Sequence, residues 1–236
     1  MSKLGKFYGI GVGPGEPDLI TIKAAKILEI SDVVYVPTKT TENKSFAYSI
    51  VNKFVKRAKI KSAIFPMSYK EEVLKQHRKK VVNEIIDDLK NFAVVTFITI
   101  GDPMLYSTYS YILDMLKEKI PSIETETIPG ISSVSILACK SETPLVSENE
   151  KFAIYPVTHF NEDEFEKLYE VSDSIVLMKF PKDSKEIMEK IKKYKFSKVV
   201  YMKNICREGE ELRFDLEADE LYEDVKKYFT IVMLKK

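Results

Sequence analysis

Three short stretches of the chain carry residue types suited to holding a small ligand: Gly11-Val12-Gly13-Pro14-Gly15, Gly101-Asp102-Pro103 and Pro129-Gly130-Ile131-Ser132-Ser133. Their glycines let backbone approach a ligand with no Cβ in the way, and their prolines stop a strand. Asp102 adds an acceptor; Ser132 and Ser133 add hydroxyls. Each stretch follows a run that reads as a strand and precedes one that reads as a helix. In an open α/β sheet ligands gather at the carboxyl ends of the strands, because the helices that follow present unpaired backbone N–H groups there. The three turns are therefore expected to frame one site. Singly, each has a plainer reading: a tight strand-to-helix turn, an Asp-Pro turn, a serine N-cap. A shared site accounts for all three at once.

Several ligand classes are excluded by what is missing. Counted from Gly9 or Gly11, the dinucleotide pattern G-x-G-x-x-G fails, since Pro14 or Glu16 stands where the third glycine belongs. No G-x-x-x-x-G-K-[ST] phosphate loop occurs. The two cysteines, Cys139 and Cys206, and the two histidines, His77 and His159, have no zinc-ligand spacing, so no metal site is expected. A formal net charge of +1 over 236 residues argues against a nucleic-acid coat or a polybasic membrane binder. Hydrophobic residues at 44% and charged residues at 31% describe an ordinary chain with a sizeable core.

The elements that must position these turns follow from periodicity. Phe7 to Val12 is β-prone, and after Asp18 the positions Leu19, Ile22, Ala25, Ile27 and Leu28 have helical spacing. Val33 to Val36 reads as a strand stopping at Pro37, and Ile64-Phe65 as another before Pro66. From Lys70 to Leu89 apolar positions recur at three and four in a long amphipathic helix, with Asp88 placed on its charged face. Ala93 to Ile100 has the continuous apolar character of a central parallel strand. A helix through Tyr109, Ile112, Leu113 and Leu116, a strand near Ile123 to Ile128 and a helix over Ser132 to Cys139 complete a βα alternation, hence an α/β fold with a parallel sheet.

Residues 141 to 151 read as a linker, dividing the chain into an N-terminal α/β domain, 1–143, and a smaller C-terminal α/β domain, 144–236. In the latter, Phe152 to Val157, Ser174 to Met178, Lys198 to Met202 and Phe229 to Leu234 are strand candidates, separated by charged helix-like stretches such as 182 to 194. The longest nearly apolar run, Phe92 to Ile100, is far short of the roughly 20 residues that cross a bilayer. Glycines interrupt the N-terminus before any secretory apolar core develops, so a cytoplasmic protein is expected.

The stretches GVGPGEPDLITIKA (11–24), ITIGDPMLYST (98–108) and ETIPGISS (126–133) together resemble the tetrapyrrole methylases, S-adenosylmethionine-dependent enzymes of corrin and sirohaem synthesis. The likeness covers the first 146 residues; beyond them it rests on Met178 and the terminal YFTIVML. Within the family, YVPTK (35–39), Pro66-Met67, GDPMLYSTYSYI (101–112) and the late YFT resemble the branch that methylates C20 of precorrin-2 or of its cobalt form, cobalt-factor II. The resemblance implies two α/β domains with S-adenosylmethionine in the cleft between them and a homodimer. It places Pro14, Ile100, Gly101, Asp102, Leu105, Ser132, Ser133, Met178 and Thr230 at the cofactor.

Methyl transfer from a sulfonium is an in-line displacement, and alignment alone supplies about 7–11 kcal/mol of the barrier. No nucleophilic side chain is required, and no catalytic residue is assigned; solvent, Tyr106 or the macrocycle assists loss of the proton. The acetate and propionate groups of such a substrate call for cations, for which Lys39, Lys140 and Arg207 are candidates beside Tyr106. Their plainer reading is as surface groups. Asp102 shows no partner in the pattern, so its loss is expected to weaken cofactor binding more than loss of Asp88. Two other readings stay open: another C-methyltransferase of the same pathway, and a non-catalytic module that binds a nucleotide or tetrapyrrole. A methyltransferase acting on protein or RNA is disfavoured by GPGEPD and by the near-neutral charge.

Overall fold

The structure, a computed structural model, describes residues 4–40, 45–66, 71–181, 184–215 and 229–236. Lys70, Met67 and Tyr228, which the sequence reading used, lie outside the described residues. The chain divides into two compact units, Met1–Ser132 and Ser133–Lys236.

In the first unit β1 (Lys6–Gly11), α1 (Ile22–Ile30), β2 (Val33–Thr38), α2 (Phe46–Val51), β3 (Lys59–Ile64), α3 (Glu71–Leu89), β4 (Val94–Thr99), α4 (Thr108–Lys119) and β5 (Thr125–Ile128) follow in order. The five strands form one parallel sheet in the order β3-β2-β4-β1-β5. Alternation along the strands divides the core between two faces. Phe7, Val33, Tyr35, Val95 and Phe97 pack with Val82 and Ile85 of α3 and Ile112 and Leu116 of α4. Tyr8, Ile10, Val34, Val36 and Ile98 pack with Ala24 and Leu28 of α1 and Ile50 and Val51 of α2. Helices on both faces explain why β4 is nearly all apolar. Its buried exception, Thr96, shares a 2.8 Å hydrogen bond with Ser31, whose hydroxyl in turn donates to the Ile27 carbonyl.

Three expectations change. The strand through Pro37 continues to Thr38, because β2 pairs with β4 only as far as Tyr35 while its pairing with β3 runs on; the missing N–H breaks no ladder there. Ile22 is exposed at the start of α1, whose buried face is Ala24 and Leu28. Asp88 does not lie on the charged face of α3. It is buried, accepting a 2.6 Å hydrogen bond from the Tyr35 hydroxyl and bonds of 2.8 and 2.7 Å from Lys61 Nζ. Burial first, and then the Asp88 carboxylate, push the Tyr35 phenol far above its ordinary pKa, so it remains a donor.

The second unit contains α5 (Ser133–Lys140), β6 (Phe152–Pro156), α6 (Glu162–Val171), β7 (Ser174–Met178), α7 (Lys185–Ile191), β8 (Lys198–Lys203), β9 (Glu211–Phe214) and β10 (Thr230–Lys235). Its sheet, in the order β6-β7-β10-β8-β9, is mixed: β6 and β7 are parallel and the other pairs antiparallel. Tyr155, Phe165, Leu177, Met188, Tyr201 and Val232 are among its core residues. Helix α5 packs against β10, so residues from Ser133 group with the second sheet although the polar linker lies at 141–151. Strand β9 is an addition to the expected set. Its ELRF stretch sits in a run of charges and, among the described residues, pairs on one side only, with β8, as suits a protected edge.

Candidate functional site

The three glycine turns meet at the carboxyl edge of the first sheet. The Gly101 N–H donates to the Gly13 carbonyl at 2.8 Å, and the Val12 N–H to the Thr99 carbonyl at 2.9 Å, which ties the first turn to the second. Asp102 ties the second turn to the third: its Oδ2 accepts from Gly130 N–H at 3.1 Å, and its Oδ1 from Met104 N–H at 2.8 Å. The backbones approach so closely that a Cβ built on Gly130 would stand 2.2 Å from the Gly101 carbonyl oxygen. One on Gly11 would lie 2.5 Å from both that oxygen and the Gly130 nitrogen. Glycine is required here by contact between turns.

Gly101 itself differs. Its φ of +70° favours glycine, and a Cβ built on it would meet nothing nearer than the Ile131 carbonyl at 4.0 Å. The fused turns thus leave an opening over Gly101 that a side chain would fill. Of the residues expected at the cofactor, Pro14 is buried, and Ile100, Leu105 and Ser132 are half-buried. Asp102 is also half-buried, and both its oxygens are engaged within the turns. The sequence pattern gave no hint of either partner; the structure makes Asp102 first a brace between turns.

The β4–α4 turn is held by its hydroxyls. Thr99 and Ser107 share a hydrogen bond of 3.1 Å, and Ser107 caps α4 by accepting from Tyr109 N–H at 3.2 Å. Between them Tyr106, with φ of 49°, is 45% exposed. Lys39 follows β2 at the same sheet edge and is exposed. Beside it Thr38 is buried and, among the described residues, its hydroxyl has no hydrogen-bond partner. That residue was not singled out by sequence, since a threonine in a strand carries no sign of being unpaired.

The second unit has an edge of its own. Register puts the ends of β6, β7 and β8 beside the start of β10 and of β9: Pro156 faces Met178, Thr230 faces Lys203, and Lys203 faces Glu211. Met178, Thr230 and Arg207 are therefore brought to one edge. The Arg207 guanidinium lies 3.4 Å from the centre of the Phe229 ring. Lys140, at the end of α5, donates to both oxygens of Glu210 at 2.7 and 2.8 Å, and Glu210 also accepts the Cys206 N–H. Its charge is already matched by a carboxylate. Lys203 is buried against Glu211. Thr230 hydrogen-bonds the buried Tyr201, whose phenol desolvation pushes upward. Among the described residues no cluster of three or more His, Cys, Asp or Glu could hold a metal, and no helix is long and apolar enough to cross a membrane.

The fold has counterparts among solved structures. A cobalt precorrin-4 methyltransferase superposes with a TM-score of 0.71 at 21% identity, covering 98% of this chain and 94% of that one. A uroporphyrin-III C-methyltransferase from Thermus thermophilus, solved with S-adenosylhomocysteine, gives a TM-score of 0.67 at 17% identity over 98% of this chain and 92% of that one. In sequence, a probable cobalt-precorrin-2 C(20)-methyltransferase of Methanocaldococcus jannaschii is 37% identical over 186 residues, covering 79% of this chain and 75% of that protein. The cobalt-precorrin-2 C(20)-methyltransferase of Salmonella typhimurium is 33% identical over 74% of this chain and 73% of its own length. The profile of the Tetrapyrrole (Corrin/Porphyrin) Methylases matches residues 6–221, which takes in all three glycine turns and most of the second sheet: the chain belongs to that family.

Proposed function

We propose that the protein is an S-adenosylmethionine-dependent C-methyltransferase that methylates C20 of cobalt-factor II or precorrin-2 in cobalamin biosynthesis. The observation that carries this reading is the 37% identity, across 79% of the chain, to a relative described as a C20 enzyme. The opening over Gly101 fits a cofactor: bare backbone on fused turns, where a side chain would take the space. Pro14, Ile100, Gly101, Asp102, Leu105 and Ser132 of the first unit, and Ser133, Met178 and Thr230 of the second, are the residues to hold it.

When bound, the cofactor supplies an electrophilic methyl group on a sulfonium. The chain's part is alignment, since a reactant misplaced by 1 Å costs on the order of a hundredfold in rate. The Asp102 brace and the Gly101–Gly13 bond hold the turns at a fixed spacing before any ligand arrives. A substrate rich in carboxylates is received by cations and by the exposed Tyr106 ring. The new carbon–carbon bond leaves one proton to be shed, for which no side chain is assigned. The protein acts as a homodimer in the cytoplasm, with light scattering in solution the check on the former.

The test is incubation with S-adenosylmethionine and either cobalt-factor II or precorrin-2, followed by mass spectrometry. Gain of one methyl group is expected. Binding of S-adenosylhomocysteine without turnover of either substrate would favour a non-catalytic binding module, and tight binding of NAD in its place would reject the cofactor.

A further inference from the structure

Lys179 follows Met178 at the carboxyl edge of β7 and, among the described residues, stands apart from the other cations at that edge. Lys140 is matched by Glu210, Lys203 by Glu211, and Arg207 stacks on Phe229. Among the described residues, no carboxylate, hydroxyl or ring is found against the Lys179 ammonium. Its backbone is held in the left-handed region at φ of 59°, where a side-chain-bearing residue costs about 1–2 kcal/mol. That conformation is clamped, because the Thr158 hydroxyl donates to the Lys179 carbonyl at 2.6 Å from the turn that follows β6. Pro156 and Met178 are in register, so the clamp joins two neighbouring strand ends.

A strained residue fixed by a neighbouring strand needs a reason, and such residues collect at binding sites. The turn presents a lysine in a conformation that glycine would take with less strain. We infer that Lys179 is a substrate-anchoring cation that receives a carboxylate of the tetrapyrrole. The side chain is open to water, yet surrounding protein desolvates the ammonium enough to lower its pKa. A partly desolvated cation without a partner gains more from an incoming carboxylate than one already paired, because less competes with the new charge-assisted bond. Lys39, Lys140 and Arg207 were the cations favoured by the sequence; Lys179 was hidden because neither its missing partner nor its backbone angle leaves a mark in the residue string.

The inference rests on the tetrapyrrole reading above, and the experiment separates the two. Binding of cobalt-factor II and of S-adenosylhomocysteine is measured for the wild-type protein and for Lys179→Met and Lys179→Arg. Lys179→Met is expected to weaken cobalt-factor II binding by about tenfold or more, as for loss of one charged hydrogen bond. Its affinity for S-adenosylhomocysteine is expected to stay unchanged, which also shows that the variant is folded. Lys179→Arg should recover most of the loss, and Lys179→Met should show a shallower dependence of cobalt-factor II binding on salt. Unaltered cobalt-factor II binding by Lys179→Met overturns the inference and leaves the functional reading standing. Equal loss for both ligands also overturns it, since the turn would then serve the fold or the cofactor. Failure of the wild-type protein itself to bind either cobalt-factor II or precorrin-2 sinks the functional reading and this inference together.

Discussion

The two sheets shape their loop-bearing edges in opposite ways. The first brings three turns into backbone contact, and its left-handed positions are mainly glycine, with Gly13 at φ of 78° and Gly101 at 70°. The second places mainly side-chain-bearing residues in the same region, Lys179 at 59°, Asn204 at 50°, Cys206 at 54° and Phe229 at 68°, with Gly209 at 72° its exception. Glycine removes side chains and leaves N–H and C=O groups bare. The second edge accepts strain of about 1–2 kcal/mol at each of Lys179 and Phe229, which are exposed, while Asn204 turns back to donate to the Gly209 carbonyl. A backbone surface suits a ligand recognised by shape and close approach, and a side-chain surface suits one recognised by charge. Tyr106 is the exception on the first edge, at φ of 49°.

The comparison is sharpest where the same residue type does different work. Asp88→Ala should have the largest effect on stability, because it strands the Tyr35 hydroxyl and the Lys61 ammonium together. Breaking a buried charged pair costs about 3–5 kcal/mol. The low end is expected, since the Lys61 side chain is 26% exposed. Thermal unfolding should register it at roughly 2–4 °C per kcal/mol for a chain of this size. S-adenosylhomocysteine affinity of the folded fraction should not change.

Asp102→Ala is expected to cost less stability, about 1.5–3 kcal/mol, by freeing the Gly130 and Met104 N–H groups. Unlike Asp88→Ala it should also weaken S-adenosylhomocysteine binding, measured by calorimetry, because the second and third turns lose their brace. Cofactor affinity untouched by Asp102→Ala would break the link between the fused turns and the ligand.

Gly101→Ala and Gly209→Ala form a matched pair, with φ of 70° and 72°. Both should lose about 1–2 kcal/mol of stability from the same strain. Only Gly101→Ala puts a methyl group in the opening over the fused turns, so only it should lower cofactor affinity. The smallest effect is a gain. Thr38→Val replaces a buried hydroxyl that has no partner, and should raise stability by about 1 kcal/mol in the same unfolding measurement.

Much of this was legible in the residues. Strands bounded by Gly and Pro, and helices with apolar spacing, marked most of the first sheet, because local pattern and tertiary burial agree there. Helix α2 was passed over, and the strand expected at Ile64-Phe65 runs instead over Lys59–Ile64. The convergence of the three turns followed from the rule for parallel sheets, which ties loop position to strand direction. Asp88 was misplaced because its neighbours in sequence are charged, while its partners Tyr35 and Lys61 come from other strands. Strand β9 was passed over because a charged edge strand has little apolar alternation to detect. Lys179 and Thr38 share another cause: backbone strain and an unpaired hydroxyl are properties of three-dimensional surroundings, and no residue type announces them.

The central claim is that this member of the family delivers its methyl group to one bridge carbon. The most direct measurement is carbon NMR of the product made from S-adenosylmethionine labelled with carbon-13 in its methyl group, with cobalt-factor II and precorrin-2 as separate substrates. A single enriched methyl signal, correlated to C20 of the macrocycle, is predicted. Label at C11, at C17 or on the pyrrole carbons modified in the sirohaem route would contradict it.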